Sequence, residues 1–519
     1  MVPLKGMNTV ASQRMMAKDF SPELINLWYD DGITLKKRLA QTFIAPPATG
    51  TTYKRLDEIR KAGVQQIIAQ DDRGYLLGIN PLSAAAPVTF ETFYVSNAVG
   101  GVITYTNNFG SATLGGKSIV GDGLGNAYIY DGVATSGVTK VWKSLKATQT
   151  PSLVLGNIFH VHHGRCYAAG DPAFPMTVRY SDTSISAGLD YWSPTTATAA
   201  VTDVTGVTVA AIGSKGGFID ISSDLSEGDV ITGLATHRGY FVVFCKKHIL
   251  FYNITDPNLA GGGGTRLYKI VSGEGCVSQN SIQGVGEDTI FLSPNGFKKL
   301  SVSMIQGDSQ VNDLSQPVNN VVKAALRDPA FIADNVSSTY NPKYGIYICN
   351  VGADTWCYQT QFEGWFKWSG IQPALLTDSN LDSYVAGPFF GKLDNLATSD
   401  SYALGTATPF QSSWVTYPFK AEALEHKPRW NRVEILYEDA ANSSDLITVW
   451  AYPDLDLSQA VSQSLTASVS ATLPDGRVEK RLSIPLSFRS ELLTVKISSA
   501  SGDIRFSLVE AYYNDGGIR

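Results

Sequence analysis

Six times between residues 65 and 368, a short apolar strand runs into a turn rich in Gly, Asn or Asp and out into a second apolar or aromatic strand. The units are QQIIAQ-DDRG-YLLGIN (65–80), KSIVGD-GLGN-AYIYDG (117–132), FHVHHG-RCYAAGD (159–171), GLATHRG-YFVVFCKK-HILFYN (233–253), QGVGED-TIFLS-PNG-FKKL (283–300) and NPKY-GIYICNVGADTWCYQT-QFEG-WFKW (341–368). The strands alternate with period 2 or are apolar throughout, and turn residues bound them. The second strand of a unit tends to be the most apolar, as a strand covered on both faces must be. Repeated meanders without long intervening helices exclude a doubly wound α/β fold. Their spacing suits a β-propeller, which meets the edge problem by closing a ring of small sheets. About six irregular blades fit the region, and the expectation is an all-β chain with the propeller over 46–408. The patterning is weakest over 81–117 and 194–227; the latter reads as an inserted β-region near 194–227.

At 519 residues the chain is too long for one ordinary core. A bland stretch, GTATPFQS (405–412), precedes WNRVEILYED, LITVWAYPD, VEKRLSIPL, LLTVKISS and DIRFSLVEAYYN. In WNRVEILYED, Arg432, Glu434 and Leu436 alternate with Val433, Ile435 and Tyr437. A half-buried antiparallel sheet results, and a β-sandwich is expected over 409–519. Residues 1–45 read as an N-terminal arm and first strand. Within them SPELINLWYDDG predicts a short helix, with Ser21 as N-cap, Pro22 in the first turn and Gly32 as the stop. ITLKKRLAQTFI (33–44) reads as an extended strand. SQPVNNVVKAALRD (315–328) places Val318, Val321, Val322, Ala325 and Leu326 at helical spacing with Ser315 as its cap.

Charge and cysteines narrow the function classes. The net charge of -6 and pI of about 5.6 disfavour a DNA-gripping surface, which would be basic. A mildly acidic wall past which DNA slides stays compatible, because it repels phosphates. The first twenty residues lack the apolar core of a signal peptide, and no apolar run is long enough for a membrane helix, so no membrane anchor is expected. Five cysteines without C-x-x-C spacing read as buried thiols. Cys349 and Cys357 flank a turn and could face each other across a hairpin.

The stretch YSDTSISAGLDYWS (180–193) has the ingredients of the Asp-box turn of sialidases, S-x-D-x-G-x-x-W. Ser181 and Asp182 are adjacent, however, and Gly188 lies too far along. Tyr180 and Trp192 then read as strand anchors of a blade loop. His160 and His162 share one face of a strand, as a metal pair would, but no third ligand is evident. GGKS (115–118) lacks the Walker glycine, Ser111 standing in its place, and strand follows where a helix is needed. LAGGGGTRL (259–267) reads as a hairpin tip. A glycosidase needs two converging carboxylates, yet Asp71, Asp72, Asp182, Glu274, Glu287 and Asp288 are scattered over turns. The aromatic run from Trp356 to Trp368 has the period of blade core more than that of a sugar platform. No catalytic, cofactor-binding or metal residue is assigned, and no enzyme activity or cofactor is expected.

Four stretches taken in order resemble the β-propeller tail proteins of short-tailed bacteriophages, the tail nozzle (tail tubular protein B) and the related packaged-DNA-stabilisation protein. They are KGMNTVASQRMMAKDFSPELINLWYDDGITLKKR, NIFHVHHGRCYAAGDPAFPMTVRYSDTSISAGLDYWS, GDVITGLATHRGYFVVFCKKHILFYNIT with GEGCVSQNSIQGVGEDTIFLSPNGFKKL, and YGIYICN…TWCYQTQFEGWFKW. The resemblance implies a structural virion protein, a homohexamer around the tail channel that is assembled in the bacterial cytoplasm. It implies head-to-tail adaptor partners, attached tail fibres, spikes or needle, and double-stranded DNA passing without sequence-specific binding. The alternative reading is a propeller tail protein that binds or degrades glycans.

Overall fold

The computed structural model describes residues 2–30, 34–47, 50–61, 64–79, 91–92, 94–95, 103–124, 127–130, 141–144, 156–183, 192, 201–202, 208–209, 216–255, 264–303, 308–395, 397, 399–403, 405–420, 427–440, 447–456, 461–465, 468–473, 477–500 and 504–514. The chain is all-β: a β-propeller followed by a C-terminal β-sandwich. Seven antiparallel four-stranded units make the propeller, one more than the count of about six expected from the sequence, and the unit beginning at Gly110–Leu114 adds a fifth strand, Tyr94–Val95, in parallel with Val141–Ser144. Blades 1 to 6 begin with strands Tyr53–Lys61, Gly110–Leu114, Ile158–His162, Ile231–His237, Gln283–Val285 and Ser337–Asn341, and blade 7 with Ala374–Thr377. These first strands, with the short helix Gln279–Ser281 beside blade 5, pack against their neighbours around the ring, and Ala374–Thr377 returns against Tyr53–Lys61.

The six units read from the sequence are blades 1 to 6. Blade 7 has only three local strands, and its fourth is Ala40–Ala45, paired antiparallel with Phe390–Asp394. A ring closed by a strand from the opposite end of the chain keeps its first and last blades together.

Second strands are buried throughout, as in Tyr240–Cys245, Asp288–Ser293 and Ile346–Val351. Alternation explains why both faces are apolar. Phe241, Val243 and Cys245 of blade 4 join the core shared with blade 3, while Val242 and Phe244 join the core shared with blade 5. Phe241 lies 4.3 Å from the ring of Tyr167, and Phe244 lies 5.0 Å from that of Phe291. Each such side chain contributes about 1.5–3 kcal/mol by leaving water.

The sandwich takes strands from both ends of the chain. One sheet has the order Leu27–Asp30, Thr34–Lys37, Arg505–Asn514, Arg429–Ala440, Arg477–Pro485, Ser468–Thr472. The other contains Glu23–Ile25, Ser412–Val415, Leu492–Ser499, Ile447–Pro453 and Val461–Leu465. Val433, Ile435 and Tyr437 are buried and Arg432 is exposed, following the alternation in the sequence. Glu23–Ile25 also pairs in parallel with blade 6, through Ile25 and Lys367. Blade 6 and one face of the sandwich are therefore a single ten-stranded sheet.

Several local expectations give way to tertiary pairing. The helix expected over SPELINLWYDDG is two strands, Glu23–Ile25 and Leu27–Asp30. Asn26 between them has φ 56°, outside helical space. Its side chain donates to Ser369 Oγ and the Gln411 carbonyl and accepts from Arg38, while pairing on both sides claims the backbone. Ser21 donates to backbone carbonyls and caps no helix; Gly32 lies outside the described residues. The strand expected over 33–44 splits into Thr34–Lys37 in the sandwich and Ala40–Ala45 in blade 7. Asn319–Leu326 is helical, preceded by a 3-10 turn at Gln316–Val318, and its Val322 is buried in the main core. Ser315 is not its cap, since its Oγ accepts from the Phe297 N–H at 2.8 Å.

Within the inserted region, Val201–Thr202 pairs with Thr208–Val209, whereas Gly217–Asp220 is the fourth strand of blade 3. The tip at 259–263 lies outside the described residues, and Thr265–Ser272 is the outer strand of blade 4.

Candidate functional site

The residues singled out in the sequence do not converge. His160 and His162 belong to the first strand of blade 3, and both reach the same hydroxyl, Thr236 Oγ1 of blade 4, at 2.7 and 2.8 Å. A hydroxyl shared between two imidazoles is an inter-blade hydrogen-bond bridge, in which Thr236 donates to one ring and accepts from the other. Burial holds both imidazoles down to about 4, and His163 stacked on His162 adds to the effect there. Among the described residues no group of three His, Cys, Asp or Glu could hold a metal.

Cys349 pairs across its hairpin with Trp356, and Cys357 with Ile348. The two thiols therefore lie on opposite faces of the blade and cannot be bridged, which corrects the facing-pair reading. All five cysteines are free and buried.

The acidic candidates are scattered over separate turns and connections, each with its own local contact. Asp71 is buried and accepts from the N–H groups of Arg73 and Tyr75 as well as the Arg73 guanidinium. Asp72 meets Thr52, Asp182 accepts from its neighbour Thr183, and Glu274 accepts from Ser293. Asp288 accepts from Ser301, and exposed Glu287 offers its carbonyl to Arg238. Gly115 and Gly116, with φ of 58° and 76°, turn the hairpin between Gly110–Leu114 and Lys117–Gly121. That left-handed pair forms a tight hairpin turn and no phosphate loop. Tyr180 ends a strand, whereas Trp192 sits on a bend and is buried among Leu114, Phe159 and Ala168 between blades 2 and 3. Trp356, Trp365 and Trp368 of the aromatic run are core.

What the first strands do enclose is the propeller axis. Two adjoining cavities of about 200 and 370 Å³ lie there. Both are lined by Arg55, Asn108, Asn157, Gln279, Asn280 and Asp334, so they form one chamber, with a polar and a more apolar lobe, contributed by blades 1, 2, 3 and the segments leading into blades 5 and 6. Sequence inspection missed this set. Alternation in YKRLDEIRK places Arg55 and Asp57 on one face with Leu56 on the other, but which strand lies innermost depends on ring closure.

The chamber's groups are unevenly satisfied. Gln279 clamps blade 4, its carboxamide accepting from Leu234 N at 2.6 Å and donating to Leu234 O at 3.2 Å. Asp57 accepts from Ser111 Oγ at 2.6 Å, and burial pushes its carboxyl up against the opposing pull of Arg55. Arg55 Nε is buried with no hydrogen-bond partner. Its guanidinium lies 5.6 Å from the Phe109 ring centroid, and burial lowers its pKa while Asp57 and Asp334 oppose that shift.

No family model matches the chain, and no curated protein matches it. Among solved structures it is similar to Raptor of Chaetomium thermophilum, with 11% identity and a TM-score of 0.40. The match covers 68% of this chain and 29% of that one, so this chain spans under a third of that protein's length.

Proposed function

We propose that this chain is a structural subunit of a bacteriophage virion, the nozzle or hub of a short tail. Six copies ring the distal DNA channel, retain packaged DNA and conduct it at ejection. The observation that carries this reading is mechanical. Blade 6 continues through Glu23–Ile25 into Ser412–Val415 of the sandwich, so the two bodies share one backbone ladder. A subunit that keeps its shape under the pressure of packaged DNA needs load to pass through hydrogen-bonded strands and not through a linker. The ordered resemblance in the arm and blades and the net charge of -6 agree with a wall past which DNA slides.

In this role the partners are other copies of the chain, head-to-tail adaptors and attached fibres, spikes or needle. Electron microscopy of the purified protein mixed with phage neck components tests the reading. A sixfold ring seated on the neck is expected; a protein that remains monomeric and never joins the tail overturns it.

A further inference from the structure

We propose that the axial chamber of the propeller is a binding site for a small neutral polyhydroxylated ligand, of the size and chemistry of a single sugar residue. This goes beyond the tail role and does not depend on it, since the site lies within one chain.

The chamber combines groups that an ion would not need together. Arg55 offers donors, and its buried Nε has no partner. Asp334, Asn157 and Asn280 line the same space, and the side chain of none of them makes a hydrogen bond among the described residues. The Asn280 backbone carbonyl is held by Ser338 Oγ and the Asp334 carbonyl by Asn108, so the loops bearing these side chains are fixed. A buried donor left unsatisfied costs about 1–3 kcal/mol, and a ligand that completes it recovers that cost.

Charge decides the class of ligand. Across both cavities the lining cations Lys54, Arg55 and Lys246 are matched by the carboxylates Asp57, Asp171 and Asp334. A phosphate or carboxylate at Arg55 would meet two acidic neighbours, and a cation at Asp334 would meet the guanidinium. Hydroxyl groups donate to carboxylates and accept from guanidinium and carboxamide N–H groups with no net charge to bury. Phe109 and Phe159 supply apolar wall for the face of a ring.

The test is titration of the purified full chain with glucose, galactose, rhamnose and N-acetylglucosamine, and separately with inorganic phosphate, followed by saturation-transfer NMR and calorimetry. At least one sugar is expected to bind in the millimolar range, and Asn280→Ala and Arg55→Met are each expected to weaken it tenfold or more. Far-ultraviolet dichroism and melting temperature establish that each variant is folded, and Asn280→Ala removes no hydrogen bond that holds the blades together. Binding of none of the four sugars overturns the proposal. So does phosphate binding that Arg55→Met abolishes while no sugar competes, which marks an anion site. Sugar binding unchanged in both variants also overturns it by placing the ligand elsewhere.

Discussion

Arg38 and Asp400 meet in a two-pronged ion pair, Nη1 to Oδ1 at 3.0 Å and Nη2 to Oδ2 at 2.6 Å, with both side chains almost wholly out of water. Arg38 lies where the chain leaves the sandwich for blade 7, and Asp400 in the segment that returns from blade 7 to the sandwich. Arg38 also donates to Asn26 and stacks 3.9 Å from the Phe410 ring centroid, while Asp400 accepts from the Gln41 N–H. One buried pair thus pins both crossings between the two bodies.

Breaking the pair leaves a charge buried without its partner, which costs about 3–5 kcal/mol. Arg38→Met should lower the urea midpoint accordingly, and Arg38→Met with Asp400→Leu should recover part of the loss. A single variant within about 1 kcal/mol of wild type would show that the junction is held by the shared sheet alone.

The N-terminal arm should depend on Gly6. Its φ is 72°, and a Cβ there would lie 2.6 Å from both N and O of Trp365. Gly6→Ala should detach the arm from blade 6 and free its backbone, so that trypsin cuts at the already exposed Lys5 and Arg14 at rates at least tenfold above wild type. Unchanged cleavage would mean that Val2 and Met7, both buried, suffice to hold it.

The histidine bridge predicts acid sensitivity. His160 and His162 are held near 4 in the folded protein, against about 6.5 when unfolded. Between those values the unfolded chain binds protons that the folded chain refuses, so stability falls as pH drops from about 6.5 towards 4 and is fully present above that window. His162→Gln should flatten the dependence of the melting temperature on pH in this range. An unaltered slope would assign the acid sensitivity to other groups.

The thiols should be silent in the native state. Burial pushes Cys276 up to about 11 and Cys349 up to about 12, and raises Cys166, Cys245 and Cys357 as well. A thiol reagent at pH 8 should find no fast-reacting cysteine in folded protein and five in denaturant. Mass spectrometry after mild oxidation should show no bridge between Cys349 and Cys357. Recovery of such a bridge would contradict their opposite-face placement.

Local alternation in the sequence determined the blades. In YFVVFC, every second side chain faces one neighbouring blade and the rest face the other, so six meanders and their turns were legible from period and turn residues alone. The sandwich strand carrying Val433, Ile435 and Tyr437 was legible in the same way. Tertiary structure decided what depends on partners distant in the chain. Ser21, Pro22 and Gly32 carry the signals of a short helix, yet blade 6 and Ser412–Val415 were there to pair with Glu23–Ile25, and Thr34–Lys37 with Leu27–Asp30. Lys36, Lys37 and Arg38 lie in a stretch that reads only as an extended strand and are buried, with Arg38 held by Asp400 and Lys37 donating to the Phe410 carbonyl. Blade 7 and the axial chamber exist only once Ala40–Ala45 reaches Phe390–Asp394. Ring closure makes Tyr53–Lys61 innermost and turns Arg55 towards the axis, because a strand's sequence fixes which side chains share a face but not what that face will meet.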